Sequence, residues 1–250
     1  MIIFTGDTHG DFSRFFNHAF DDLTKDDYVI ICGDFGGIWS GSPQEDKMLD
    51  KLEKLPFTLL FVDGNHECFD RLYKYPVVEW HGGCVHEIRP HVLHLIRGEI
   101  FHIDGYKIFA MGGAKSHDIQ DGILNPADPL YRTKKRRLDK AGGMYRILGK
   151  SWWLQEVPSS FEINCAAYNL SRFDWNVDFI VTNEAPTSID AQFGYDNLEV
   201  YDLMETLEEI KNKCQYKKWF FGHHHWDANI DKKHTLLYHS CVEIRRIDND

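Results

Sequence analysis

The chain has 250 residues, and its hydrophobic and charged fractions of 43% and 27% are ordinary for a globular protein, which excludes a disordered or fibrous class. A formal net charge of −11 disfavours broad binding to nucleic acids or to anionic membranes. No apolar stretch approaches the roughly 20 residues of a membrane span, and the first residues lead into a strand without a leader pattern, so we predict a cytoplasmic protein without a membrane partner.

Strands and helices alternate in the first quarter of the chain. Short apolar runs rich in Val, Ile and Phe indicate strands, and apolar residues three or four apart indicate helices between them. Such alternation is typical of a parallel sheet, in which ligands gather at the carboxyl ends of the strands. The predicted elements are strands at residues 2–4, 28–32 and 57–62 and helices at residues 12–20 and 43–55.

Short strands and tight turns dominate residues 77–113, where the pair Asp104-Gly105 predicts a hairpin. Histidines in this region alternate with apolar residues, so we predict them on polar strand faces and not in a metal site. These histidines are His81, His86, His91, His94 and His102. The elements predicted in the rest of the chain are strands at residues 92–96, 99–103, 106–111, 179–182 and 219–221, two further strands within 235–247, and a helix at 198–211.

Residues 114–160 are the least regular part of the chain. We predict that they form a substrate-side insertion, at about these bounds, in a single domain that spans residues 1–250. The only dense basic run of the chain lies within them, at residues 132–137. A solvated loop or helix face is the default interpretation of such a run, and an electrostatic guide for an anionic substrate is the alternative.

Polar residues follow five of the predicted strands. One of these groups, Gly64-Asn65-His66-Glu67, is by itself as typical of an ordinary turn as of a site, but its recurrence at other strand ends indicates a shared site. In an extended segment, residues two apart face the same side, and carboxylate, imidazole and amide donors together suit manganese, iron, zinc or nickel. The strand-end residues are Asp7 and His9, Asp34, Asn65 and His66, Asn183, and His223 with His225.

With these motifs the sequence resembles the calcineurin-like metallophosphoesterase superfamily. The resemblance covers nearly the whole chain in the expected order. It implies an α/β fold, a two-sheet β-sandwich flanked by helices in four layers (αββα), with a dinuclear metal centre at the strand ends. The motifs that carry it are Asp7-x-His9, Gly33-Asp34, Gly64-Asn65-His66-Glu67, Val181-Thr182-Asn183-Glu184-Ala185-Pro186 and Gly222-His223-His224-His225.

The resemblance also implies roles for individual residues. It implies hydrolysis of a phosphate monoester or a nucleotide-type phosphodiester by a hydroxide that bridges two divalent ions, with manganese favoured over iron, zinc or nickel. Asp34 would bridge the two ions, and His66 would protonate the leaving oxygen. One ion would be held by Asp7, His9, Asp34 and His225, and the second by Asp34, Asn65 and His223, with Asn183 in the remaining ligand position.

Asn183 is a departure from the family pattern, which has a histidine after the corresponding strand. An amide oxygen is a weaker donor than imidazole for borderline metals, and Asn65 already contributes one amide to the same ion. We therefore predict a weakened second metal position and impaired turnover. Asn183 is either a natural variant or a deliberate substitution to slow turnover, and the intact state of the other motifs favours the second interpretation.

A second departure concerns the substrate. Protein phosphatases of the superfamily have Asp-Arg-Gly where this chain has Phe35-Gly36-Gly37 after Asp34, so a phosphoprotein substrate is less supported but remains an alternative. A weakened metal- and phosphate-binding sensor or scaffold is another alternative, and a closed structural metal site is the least supported. We assign substrate recognition to the insertion and nominate four phosphate-facing residues, Lys134, Lys135, Arg136 and Arg137.

Overall fold

Two large β-sheets and the helices on their outer faces make up the computed structural model, which describes residues 1–194 and 200–245. The strands are β1 (Ile2–Thr5), β2 (Tyr28–Ile31), β3 (Thr58–Phe61), β4 (Val77–Trp80), β5 (Gly83–Arg89), β6 (Val92–Leu95), β7 (Ile100–Ile103), β8 (Tyr106–Met111), β9 (Ile123–Leu124), β10 (Arg146–Ile147), β11 (Phe179–Thr182), β12 (Lys218–Phe221), β13 (Ala228–Asn229), β14 (His234–Leu236) and β15 (Cys241–Ile244). The helices are α1 (Pro43–Glu53), α2 (Phe69–Leu72), α3 (Tyr131–Ala141), α4 (Ser160–Arg172), α5 (Thr187–Asp190) and α6 (Asp202–Lys213).

Each large sheet has a parallel centre and antiparallel edges. The first sheet has the strand order β15-β1-β2-β3-β6-β5-β4, and the second has the order β13-β14-β12-β11-β8-β7. Strands β1, β2 and β3 run parallel in register, as do β8, β11 and β12 in the second sheet. The carboxyl ends of neighbouring strands therefore lie side by side, which is where polar residues follow the strands in the sequence.

Three apolar clusters separate four layers. The cluster between the sheets contains Phe4, Leu60, Val181 and Phe220, while Leu49 and Leu52 of α1 pack on the other face of the first sheet. The third cluster joins the outer face of the second sheet to α4, α5 and α6. Both faces of the central strands are thus buried, which explains their continuous apolar runs. The two-sheet sandwich flanked by helices is confirmed.

The prediction of a helix at residues 12–20 is wrong. Two short 3₁₀ helices replace it, Ser13–Phe15 and His18–Phe20, separated by Asn17 in an extended conformation whose side chain accepts a hydrogen bond from the backbone of Ala19. Local capping by an Asn side chain competes with a continuous helix. With the segment divided into two 3₁₀ helices, Phe15 and Phe20 are buried and Phe16 is 52% exposed.

Helix α4 lies in a region for which we expected no regular structure. Its start has a sequence signal that we did not use, Ser159-x-x-Glu162, which forms a reciprocal capping box in the structure. Helix α6 begins at Asp202, and the start expected at residue 198 lies outside the described residues. Strands β14 and β15 fall in the expected final region, of which residues 246 and 247 also lie outside the described part.

Two histidines contradict the prediction of polar strand faces. His86 and His94 are buried, and their Nδ1 atoms lie 2.9 Å apart. His94 Nε2 contacts Asp63 Oδ1 at 2.9 Å, so a buried carboxylate replaces water as the polar partner. Alternation along a strand cannot distinguish a solvated face from a buried one that carries such a partner. In the part of the chain that the structure describes, no helix is sufficiently long and apolar to cross a membrane.

Candidate metal centre

Four of the predicted ligands converge on one point. Asp7 follows β1, Asp34 follows β2, and His225 follows β12, so three strand ends contribute. One ligand atom from each of Asp7, His9, Asp34 and His225 lies within 4.8 Å of the others. The Nε2 atoms of His9 and His225 are 2.9 Å apart, and His225 Nε2 is 3.6 Å from Asp7 Oδ2. This arrangement can hold a divalent cation with two carboxylates and two imidazoles.

The backbone of the site occupies sparsely populated conformations. Non-glycine residues with positive φ cost free energy and cluster at functional sites, and four predicted ligands adopt such values: His9 (47°), Asp34 (42°), His223 (73°) and His225 (56°). Gly64 permits a close approach, because a Cβ atom there would lie 2.1 Å from Asp34 Oδ1 and 2.5 Å from Asn183 Oδ1. The glycine before Asn65 is therefore required by the space that a side chain would occupy.

Three buried oxygens beside this group have no hydrogen-bond partner among the described residues. They are Asp34 Oδ2, Asn65 Oδ1 and Asn183 Oδ1. An unsatisfied buried acceptor costs about 1–3 kcal/mol, and a bound cation would satisfy several such oxygens at once. The donor set therefore fits the divalent ions that the sequence motifs predict.

The amide of Asn183 has a defined orientation. Its Nδ2 donates to Asp7 Oδ1 at 3.3 Å and to the carbonyl oxygen of Cys32 at 3.2 Å. Exchange of the nitrogen and oxygen positions would place Oδ1 against two acceptors, so the amide oxygen points away from them. The amide of Asn65 is oriented through Ser116, whose hydroxyl donates its hydrogen to Glu156 Oε2 at 2.7 Å and so accepts from Asn65 Nδ2 at 3.3 Å.

His223 lies apart from the four-residue group and contacts a histidine that the sequence reasoning missed. Its Nε2 is 2.6 Å from His117 Nε2, and the two ring centroids are 4.5 Å apart. If one ring donates this hydrogen bond and the other accepts it, a cation held by His223 would bind through Nδ1. His117 could have been found in the sequence by the same reasoning as the other ligands, because Ser116-His117-Asp118 is a polar group that follows soon after β8.

Burial sets the protonation of these groups. It raises the pKa of Asp7, with repulsion from Asp34 as the second cause, and it also raises the pKa of Asp34. Burial lowers the pKa of His9 to about 4 and holds the pKa of His223 well below its usual value. The imidazoles of His9 and His223 are therefore neutral near pH 7, which is the form that binds a metal.

His66 faces the same site without joining the four-residue group. Its backbone N–H donates to Asp34 Oδ1 at 2.7 Å, and its ring lies edge-on to His9 with centroids 4.6 Å apart. Its Nε2 accepts a hydrogen bond from Arg146 Nη2 at 3.1 Å. Burial, followed by the charge of Arg146, lowers the pKa of His66 to about 4.

The four nominated basic residues lie on or beside the exposed surface of α3. Lys134 pairs with Asp128 at 2.6 Å, and Lys135 pairs with Asp139 at 2.8 Å. Among the described residues, no hydrogen bond or ion pair joins Lys134, Lys135, Arg136 or Arg137 to the strand-end side chains. Their role in substrate binding stays a prediction.

Other residues within 114–160 contact the site and were also missed. Glu156 Oε2 accepts hydrogen bonds from the hydroxyl of Ser116 at 2.7 Å and from its backbone N–H at 3.3 Å. Ser116 in turn holds the amide of Asn65. Glu156 and Arg146 lie far from Asn65 in the sequence, so no local spacing could have revealed the contacts.

A second acidic group follows β11 and β12. Glu184, Asp190 and His224 each place a ligand atom within 4.8 Å of the others. His224 Nε2 lies 2.8 Å from Asp190 Oδ1, and the hydroxyl of Tyr201 donates to Glu184 Oε2 at 2.5 Å. These contacts support the loop that carries His223 and His225.

Comparison with known proteins agrees with this geometry. A family model described as calcineurin-like phosphoesterase matches residues 1–227. No curated protein sequence gives a significant match. Members of the matched family use divalent metals to hydrolyse phosphate esters, which accords with the candidate ligand groups at the strand ends. The match spans most of the chain, which therefore belongs to the calcineurin-like phosphoesterase family.

Proposed function

We propose that the chain hydrolyses phosphate esters at a dinuclear centre of divalent cations. The observation that carries the proposal is the set of buried, unpartnered oxygens of Asp34, Asn65 and Asn183 beside a group of carboxylates and imidazoles. Manganese is favoured, with iron, zinc or nickel as alternatives. The first ion would be held by Asp7, His9, Asp34 and His225, and the second by Asp34, Asn65, Asn183 and His223.

Two bound cations would polarise the phosphoryl group and activate a water molecule for in-line attack. Asp34 can serve both positions because it has two oxygens. Oδ2 is unpartnered, and Oδ1 accepts one N–H from His66 and keeps a further lone pair. His66 contributes no ligand atom to the first position and faces the site through Nε2. We assign it to proton transfer to the leaving oxygen, for which Nε2 must first take a proton from solvent in place of the hydrogen bond that it accepts from Arg146.

The proposed substrates are phosphate monoesters or nucleotide-type diesters, recognised in part by residues 114–160 as an insertion in one domain. We further propose that the second ion binds weakly, because two amides and one imidazole accompany Asp34 there. Turnover in this chain would then be limited by occupancy of that position. The cytoplasm is the proposed location.

A metal-titrated assay tests the proposal. Purified protein, stripped of metal and reloaded with manganese, should hydrolyse bis(p-nitrophenyl) phosphate or p-nitrophenyl phosphate, and Asp34→Asn should abolish this activity. Absence of hydrolysis with manganese, iron, zinc and nickel, both in the parent chain and in Asn183→His, would contradict the proposal.

The same assay also distinguishes two alternative functions. Stoichiometric metal and phosphate binding without hydrolysis would favour a sensor or scaffold, for which Asn183 is the supporting observation. Hydrolysis of a phosphopeptide in preference to both small esters would favour a protein phosphatase.

A further inference from the structure

We propose that Arg146 is the residue through which the insertion binds the phosphate group of the substrate, and that this binding releases His66 from its contact with the guanidinium. The inference rests on the proposed function. It begins from the position of Arg146, which lies in the short strand β10, paired with β9. Its Nη2 is 3.1 Å from Nε2 of His66, so a guanidinium reaches the site from the insertion.

The guanidinium is held in place by groups other than His66. Its Nε–H donates to Asp118 Oδ1 at 2.6 Å, and Nη1 donates to the carbonyl oxygen of Ser151 at 3.3 Å. Nη1 also lies 3.7 Å from Glu156 Oε1. Arg146 is only 7% exposed. A charged group restrained in this way loses little further freedom when it binds an anion.

The donor count leaves capacity for a ligand. An arginine has five N–H groups, and the contacts to Asp118, Ser151 and His66 use three of them. The bond to His66 is the one that an anion would replace, because a phosphate oxygen is a much stronger acceptor for a guanidinium than a neutral imidazole is. Once Nη2 binds phosphate, Nε2 of His66 is free to face the leaving oxygen.

The basic run at residues 132–137 is the competing candidate. Lys134 and Lys135 pair with Asp128 and Asp139 on the surface, where solvent and salt screen their charge, whereas Arg146 is buried and contacts His66. The turn after Asp34 carries Phe35-Gly36-Gly37 and offers no arginine. Among the described residues that contact His66, Arg146 is the one that carries a guanidinium.

Binding of inorganic phosphate to the manganese-loaded protein tests the inference without reference to turnover. Calorimetric titration should show that Arg146→Gln weakens phosphate binding by about tenfold or more, as expected for loss of a hydrogen bond to a charged group. Arg89→Gln is the matched control, because Arg89 is also paired with a carboxylate, that of Asp50 at 2.9 Å, but lies away from the site. Manganese content should be the same in Arg146→Gln and the parent, which shows that the variant still folds around the metal ligands.

A second variant separates positioning from charge. Asp118→Asn keeps the guanidinium but removes its orienting carboxylate, so phosphate binding should weaken less than in Arg146→Gln. Added guanidinium chloride at millimolar concentration should partly restore phosphate binding to a small-side-chain variant, Arg146→Ala, which a purely structural role would not allow.

The outcomes distinguish this inference from the proposed function. Phosphate affinity of Arg146→Gln equal to that of the parent, or a larger loss when Lys134, Lys135, Arg136 and Arg137 are all changed to Gln, would overturn the role of Arg146. Weaker phosphate binding in Arg146→Gln together with absence of hydrolysis in the parent would support Arg146 as an anion-binding residue while the proposed hydrolysis fails.

Discussion

The two halves of the candidate centre differ in their donors. The first half places two carboxylates and two imidazoles within 4.8 Å of one another, whereas the proposed second half would rely on two amide oxygens, the shared Asp34 and one imidazole. The residues of the first half contact one another directly, whereas Asn65 and His223, which we propose for the second half, contact Ser116 and His117. A shared fold can therefore support two metal positions of unequal strength, since donor type decides affinity once geometry is provided.

Loss of the shared carboxylate should have the largest effect. Asp34→Asn removes a charge from both halves, so both manganese ions should be lost and diester hydrolysis should fall by about a thousandfold or more. Metal analysis after gel filtration and initial rates check this result. Asp26→Asn, an exposed carboxylate, is the control, and retention of two ions by Asp34→Asn would show that the halves are independent.

Asn183→His should make the halves more alike. An imidazole in place of the amide should strengthen binding of the second manganese ion by about 10-fold to 100-fold and raise the turnover number by a similar factor. Calorimetric titration of metal into stripped protein should change from one tight and one weak phase to two tight phases. An unchanged rate together with unchanged metal content would remove Asn183 as the explanation of a weak second position.

His117→Ala should weaken the second half alone. His223 would lose the partner of its Nε2, so we expect several-fold to about tenfold weaker binding of the second ion and no change for the first. His117→Gln keeps a side chain that can hydrogen bond to His223 and should recover part of the affinity. Equal weakening of both ions in His117→Ala would instead indicate a general structural defect.

The smallest expected effect is on the pH dependence of stability. Burial raises the pKa of Glu156, which supports Ser116, to about 8. Between about pH 5 and about pH 8 the folded protein holds a proton that the unfolded chain has released, so this group makes stability fall as pH rises. Urea unfolding of metal-free protein should show a smaller fall in this range for Glu156→Gln. Parallel pH profiles for the two proteins would contradict this account.

Local spacing predicts much of the molecule because a strand, a glycine turn and a polar residue are neighbours in the chain. The strands that carry Asp7, Asp34 and Asn65 were predictable on that ground, and so was the burial of their central residues. Helical spacing alone was misleading at residues 12–20, where Asn17 caps a new turn. Alternation of polar and apolar residues was likewise misleading at His86 and His94, which it placed on polar strand faces but which are buried.

Sequence by itself determined the order of the motifs, the strand ends at which they lie and the donor types available to a metal. The family match over residues 1–227 agrees with that order. Only the tertiary structure decided that His117 meets His223 and that Arg146, and not the neighbouring basic run, contacts His66. These contacts join residues about 80 to 106 positions apart, and no periodic pattern encodes which distant side chains meet, because packing of the whole chain sets their positions.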